Sequence, residues 1–112
     1  MQLDIENIQA AQGAIVIIRS DNLDAGNAKA FKDGLHPMLE GHQTVLLDMS
    51  ALSFVDSSGL GALLSCLRVM NNKNGQLKLF AMAKPVQALF ELVRMHRIFS
   101  IYNTREEALA TL

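Results

Sequence analysis

The segment Asp56-Ser57-Ser58-Gly59-Leu60-Gly61 gathers the residues of this chain best suited to chemistry. It offers a carboxylate, two adjacent hydroxyls and two glycines, whose missing side chains let another molecule's backbone approach closely. Asp56, Ser57 and Ser58 are all good helix N-caps, so the plain reading is a strand–turn–helix junction. Side-by-side caps and two glycines in the first helical turn exceed what a cap needs, because glycine in a helix costs about 1 kcal/mol against alanine. Two catalytic patterns are missing. There is no Gly-x-x-x-x-Gly-Lys-Ser/Thr phosphate loop, and neither serine has the flanking glycines of a Gly-x-Ser-x-Gly nucleophile elbow. His36, His42 and His96 lie in other segments, so a serine–histidine–aspartate triad has no accompanying signature. These residues point away from an enzyme and call for no metal or cofactor of the chain's own.

The flanking sequence must position that turn. Thr44–Met49 is a short continuous apolar run, suited to a strand buried on both faces, and Leu52, Phe54 and Val55 lead from it into the turn. Beyond the turn, Leu60, Leu63, Leu64, Leu67 and Met70 recur at helical spacing and predict one apolar stripe. Asn71-Asn72-Lys73-Asn74-Gly75 supplies the C-cap. Upstream, residues 3–8 are a candidate edge strand and Ala14–Arg19 a β-branched strand. Asp24 reads as an N-cap for a helix carrying Ala28, Phe31, Leu35 and Leu39, which Pro37 should kink or end early. Downstream come a strand at Leu77–Phe80 and a helix entered through Pro85 with Val86, Leu89, Phe90 and Val93 inward. A short strand over 98–102 and a Thr104-x-x-Glu107 capping box, opening a last helix through Leu112, complete the chain.

Strands alternating with helices imply an α/β layer structure with parallel neighbours. The first two strands are joined too tightly for a helical crossover, so that edge should be antiparallel and the sheet mixed. The 112 residues, half of them apolar and 19% charged, suit one globular domain over 1–112 that buries a core without staples. A net charge of -1 with scattered cations argues against a nucleic-acid binder. The lone Cys66, beside the apolar stripe, reads as a buried inert thiol and fits a reducing cytosol. No signal segment is visible, and no apolar run approaches the roughly 20 residues of a membrane span, so a cytoplasmic location without membrane insertion is expected. Met70, Met82 and Met95 suit gap-filling in the core, while Met95 and His96 are also candidate exposed contacts.

Val45 through Gly61 resembles the signature of the STAS domain family, specifically its bacterial anti-sigma factor antagonists: a buried strand, a short spacer, then Asp-Ser-Ser/Thr-Gly-Leu-Gly. Asn22-Leu23-Asp24 resembles the segment carrying the family's other aspartate, with Asp21 where glycine is usual, and Lys84-Pro85-Val86 resembles the start of its third helix. The likeness spans essentially the whole chain. It implies a mixed sheet of four or five strands with about four helices, backed on one main face. It also implies a mechanism of partner switching. An anti-sigma factor with serine kinase activity, supplying ATP and metal, phosphorylates Ser57, with Ser58 the alternative acceptor. A PP2C-type phosphatase reverses this. Only the dephosphorylated form binds the anti-sigma factor, which releases a sigma factor. Asp24, Asp56, Ser58, Gly59, Leu60 and Gly61 are then the expected partner-binding residues, with Asp56 either orienting the acceptor hydroxyl or capping the helix. Other roles on the same fold are regulation of a different partner-switching pathway (secretion, biofilm or stress control) and an accessory subunit of a membrane transporter. Transporter-attached members often lack the intact Ser-Gly-Leu-Gly turn that this chain has.

Overall fold

The computed structural model describes residues 1–112. Its main sheet has five strands in the order β1-β2-β4-β6-β7: β1 (Leu3–Ile8), β2 (Gly13–Ile18), β4 (Thr44–Asp48), β6 (Gln76–Phe80) and β7 (Ser100–Tyr102). The tight connection between the first two strands forces β1 and β2 antiparallel, with Leu3 opposite Ile18 and Ile8 opposite Gly13. The remaining neighbours are parallel. A separate two-stranded ribbon pairs β3 (Asn22–Leu23) with β5 (Phe54–Val55). The helices are α1 (Ala28–Glu40), α2 (Ser57–Asn72), α3 (Lys84–Leu92) and α4 (Arg105–Leu109).

Each parallel step crosses in the same direction through a helix, and right-handed crossovers place those helices on one face of the sheet. Strand alternation then divides the core. Val16, Val45, Leu47, Leu77 and Leu79 point to the α1–α3 side and pack with Phe31, Leu35, Leu39, Leu63, Met70, Val86 and Phe90. Ile15, Ile17, Leu46 and Phe80 point to the other side, where Ala108 of α4 covers them. The β4 strand is thus buried on both faces, as its unbroken apolar run requires. Met70 and Met82 are buried in the main core and Met95 lies half-buried against it.

Several expectations need correction. Pro37 neither ends nor breaks α1, which continues to Glu40. It stands in the last turn, so the one backbone bond it forfeits is to the carbonyl of Asp33, an exposed residue whose acceptor water can serve. Leu35 and Leu39, both fully buried, hold that turn against the core. Asp24 does not cap the regular helix. Its Oδ1 accepts the Gly26 amide at 2.9 Å and its carbonyl accepts the Ala28 amide at 2.8 Å, so it closes the turn that feeds α1. Val93 falls past the end of α3 and is 41% exposed rather than inward. The stripe on α2 is centred differently: Gly59, Leu60, Ala62, Leu63, Cys66 and Met70 are buried, while Leu64 and Leu67 are half-buried. At the other boundaries, Asn74 adopts the left-handed conformation (φ 59°), and the Gly75 amide closes on the Met70 carbonyl at 2.8 Å, a Schellman end to α2. Thr104 Oγ1 accepts the Glu107 amide at 3.1 Å, and α4 ends at Leu109.

Candidate functional site

The turn at 56–58 lies past the carboxyl end of β4, where the short β3–β5 ribbon carries the chain from the sheet to α2. Two residues of ribbon suffice because the Leu23 carbonyl accepts the Asp56 amide at 3.2 Å and the Asp21 carbonyl accepts the Ser53 and Phe54 amides at 2.8 and 3.2 Å. This joins the turn before α1 to the turn before α2.

Asp56 is the N-cap of α2, in extended conformation (φ -103°, ψ -172°). Its Oδ1 accepts the Gly59 amide at 2.9 Å, the usual capping bond. Its Oδ2 accepts the Ala25 amide at 3.1 Å, across to the turn before α1. One carboxylate therefore caps one helix and braces the approach to the other. Asp24 is similarly occupied: Oδ2 accepts from the Asn22 side-chain amide at 2.8 Å, and Asn27 Oδ1 accepts the Asp24 amide at 2.9 Å.

Ser57 and Ser58 are the first two residues of α2, both exposed, and neither hydroxyl forms a hydrogen bond within the chain. Two exposed nucleophilic oxygens thus sit at the positive end of a 16-residue helix, next to the capping carboxylate of Asp56. The histidines are elsewhere. His36 Nδ1 lies 3.0 Å from Glu40, His42 lies between the Met38 carbonyl and Asn7, and His96 is exposed.

The two glycines of the motif differ. Gly59 is buried, and a Cβ there would lie 2.3 Å from the Leu23 carbonyl oxygen and 2.9 Å from Val55 Cγ1. Its bareness serves the internal contact between α2 and the ribbon, not a visiting backbone. Leu60, 8% exposed, likewise belongs to the core, so neither side of the chain there offers surface to a partner. Gly61 is exposed, and a Cβ there would meet nothing within 4 Å. It lies four residues from Ser57, on the same face of α2. The fold gains nothing from this glycine.

Two exposed apolar side chains, Phe54 in the ribbon beside the turn and Leu92 elsewhere on the surface, were not legible from periodicity. Phe54, one residue out of phase with the buried Val55, is 55% exposed, and Leu92 at the end of α3 is 80% exposed. A signal existed in each case, a large apolar residue off the buried stripe or on the outer side of a two-residue strand.

The result is an α/β domain with a mixed five-stranded sheet and a serine-bearing turn at the head of its second crossover helix. The chain belongs to the STAS domain family, whose model matches residues 6–108. Among its relatives, the anti-sigma F factor antagonist of Paenibacillus polymyxa is 27% identical over 114 aligned positions, covering 100% of this chain and 97% of that one. The structure of an anti-sigma-factor antagonist (STAS) domain protein from Planctomyces limnophilus matches with a TM-score of 0.86 at 17% identity, over 97% of this chain and 96% of that one. The Bacillus cell fate determinant SpoIIAA in its phosphorylated form matches with a TM-score of 0.71 at 19% identity, over 98% of each chain. Those structures establish the common fold. No helix of the chain is long and apolar enough to cross a membrane.

Proposed function

We propose that this chain is a cytoplasmic anti-sigma factor antagonist that works by partner switching, with Ser57 as its phosphorylation site. The observation that carries the reading is a pair of exposed, unbonded hydroxyls at the start of a firmly capped helix, and the motif resemblance, with its acceptor directly after the aspartate, favours Ser57 over Ser58. A full-length relative with the antagonist's name and a phosphorylated structural neighbour support it. Gly61 adds support, since its helical cost of about 1 kcal/mol has no return inside the fold.

In this reading the anti-sigma factor docks over Ser57, Ser58, Gly61 and the exposed ring of Phe54, with Asp24 at the margin. It supplies ATP, metal and catalysis as the serine kinase, and a PP2C-type phosphatase restores the free hydroxyl. Phosphorylation adds about -1.5 to -2 charges. The helix end favours them by roughly 0.3–1 kcal/mol, and the adjacent Asp56 carboxylate opposes them. The bonds that hold the turn run from Asp56 to backbone amides and do not involve the Ser57 side chain. The phosphorylated domain therefore stays folded. A docked partner has to bury the added charge, which costs several kcal/mol unpaired, and about 1.4 kcal/mol already changes affinity tenfold.

The test is incubation with an anti-sigma factor kinase and ATP, mapping of the phosphate by mass spectrometry, and a heteronuclear spectrum of the product. One phosphate on Ser57, lost in Ser57→Ala and kept in Ser58→Ala, with a folded spectrum and abolished partner binding, is the expected result. Modification at Ser58 alone, or global unfolding of the phosphoprotein, contradicts the reading.

A further inference from the structure

The α1 and α2 helices lie side by side, and a furrow of about 390 Å³ runs between them. Lys32, Asp33 and His36 of α1 form one wall, and Ser65, Arg68 and Asn72 of α2 the other. The carboxylates along α1 are already engaged within their own helix. Asp33 accepts from Lys29 Nζ at 2.8 Å, a bond that holds its carboxyl below the usual carboxylate range, and Glu40 lies 3.0 Å from His36. Lys32 and Arg68, on opposite walls, have no carboxylate partner.

We propose that this furrow binds a small phosphate-bearing anion. Its volume falls in the range of small-ligand sites, about 300–1,000 Å³. Its lining is polar and charged, with Val69 the one apolar residue, which selects a charged ligand. A guanidinium holds phosphate through two parallel N–H donors, and an ammonium from the facing wall adds a point charge. Ser65 and Asn72 supply a hydroxyl and an amide for the remaining oxygens. The site is independent of Ser57. Eleven residues of helix separate Ser57 from Arg68, about 16 Å along the axis, so a phosphoserine at the helix start does not reach it. The ligand is a free small molecule that bridges the middle of α1 and the carboxyl-terminal half of α2.

The test is a titration of the isotope-labelled full chain with inorganic pyrophosphate at constant ionic strength, followed by amide chemical shifts. Saturable shifts confined to residues 32–36 and 65–72 are expected, with Kd on the order of 1 mM or tighter. Lys32→Gln and Arg68→Gln should each weaken binding about tenfold, a change of about 1.4 kcal/mol. Both residues are exposed, so the variants keep the fold, which their spectra verify. Arg97→Gln, an equal charge change at an exposed site outside the furrow, should leave Kd unchanged. Shifts that rise linearly without saturating, shifts spread over the surface, or equal weakening by Arg97→Gln would overturn the proposal.

Discussion

The same substitution at two positions two residues apart should have opposite signs. In Gly59→Ala the new methyl would stand 2.3 Å from the Leu23 carbonyl oxygen and 3.0 Å from its carbon. A carbon–oxygen contact relaxes only at about 3.3 Å or more, so helix and ribbon must part by about 1 Å. That carbonyl also accepts the Asp56 amide at 3.2 Å, so the shift strains the bond that seats the turn. Overpacking of this kind costs about 1–3 kcal/mol, a weakened hydrogen bond about 1 kcal/mol more, and the helical preference for alanine returns about 1 kcal/mol. The net expectation is a loss of about 1–3 kcal/mol. In Gly61→Ala nothing lies within 4 Å, so only the helical preference remains and stability should rise by about 0.5–1 kcal/mol. Urea unfolding followed by circular dichroism resolves this, because with a slope of about 1–3 kcal/mol/M a 2 kcal/mol change moves the midpoint by roughly 1 M. Gly59→Ala as stable as the parent, or Gly61→Ala less stable, would refute the packing argument. If Gly61 is kept bare for a partner, its alanine variant should be the more stable protein and the weaker binder, which calorimetry against the anti-sigma factor measures.

Further outcomes follow from the same contacts. Asp56→Ala should cost about 1–2 kcal/mol through the lost cap and should speed hydrogen exchange at the Ala25 amide, while Asp56→Asn should cost less because an amide oxygen still caps. Burial pushes the Cys66 thiol from 9.0 up to about 11. Below pH 9 the thiol is neutral folded or unfolded, so no penalty arises. Between pH 9 and 11 only the unfolded chain ionises, and stability should fall by up to roughly 3 kcal/mol at about 1.4 kcal/mol per unit. Denaturation across that range should show the fall in the parent and its absence in Cys66→Ala, and native Cys66 should resist alkylation at neutral pH.

Much of the architecture is written in local pattern. Residues 3–8 and 13–18 alternate or cluster as strands do, and the α1 stripe at 28, 31, 35 and 39 is buried as spaced. The family of the turn was legible from its motif. What was not legible depended on contacts remote in sequence. The β3 and β5 strands have two residues each, and only their mutual pairing makes them strands. Gly59 looked like an opening for a visitor because its true neighbour, Leu23, lies 36 positions earlier. Asp24 looked like a helix cap because the competing acceptor, Asn27, which ties the turn into its own network, carries no mark of its role in sequence. The ring of Pro37 predicts an early end to α1, but the burial of Leu35 and Leu39 outweighs it.

The strand order of the main sheet runs from one edge to the other without reversing. Where such an order does reverse, helices part to opposite faces and a crevice opens at the division. Here the helices after β2, β4 and β6 stand in one row, and no hollow of the surface is lined by Asp56, Ser57 or Ser58. Ser57 is exposed at the head of α2, outside every such hollow. A reaction at such an exposed group takes place inside some other molecule's concavity, which must bring the walls that exclude water and align the reactants. The topology thus casts this chain as a guest in any chemistry at its serine, with the host's shape deciding when that chemistry occurs.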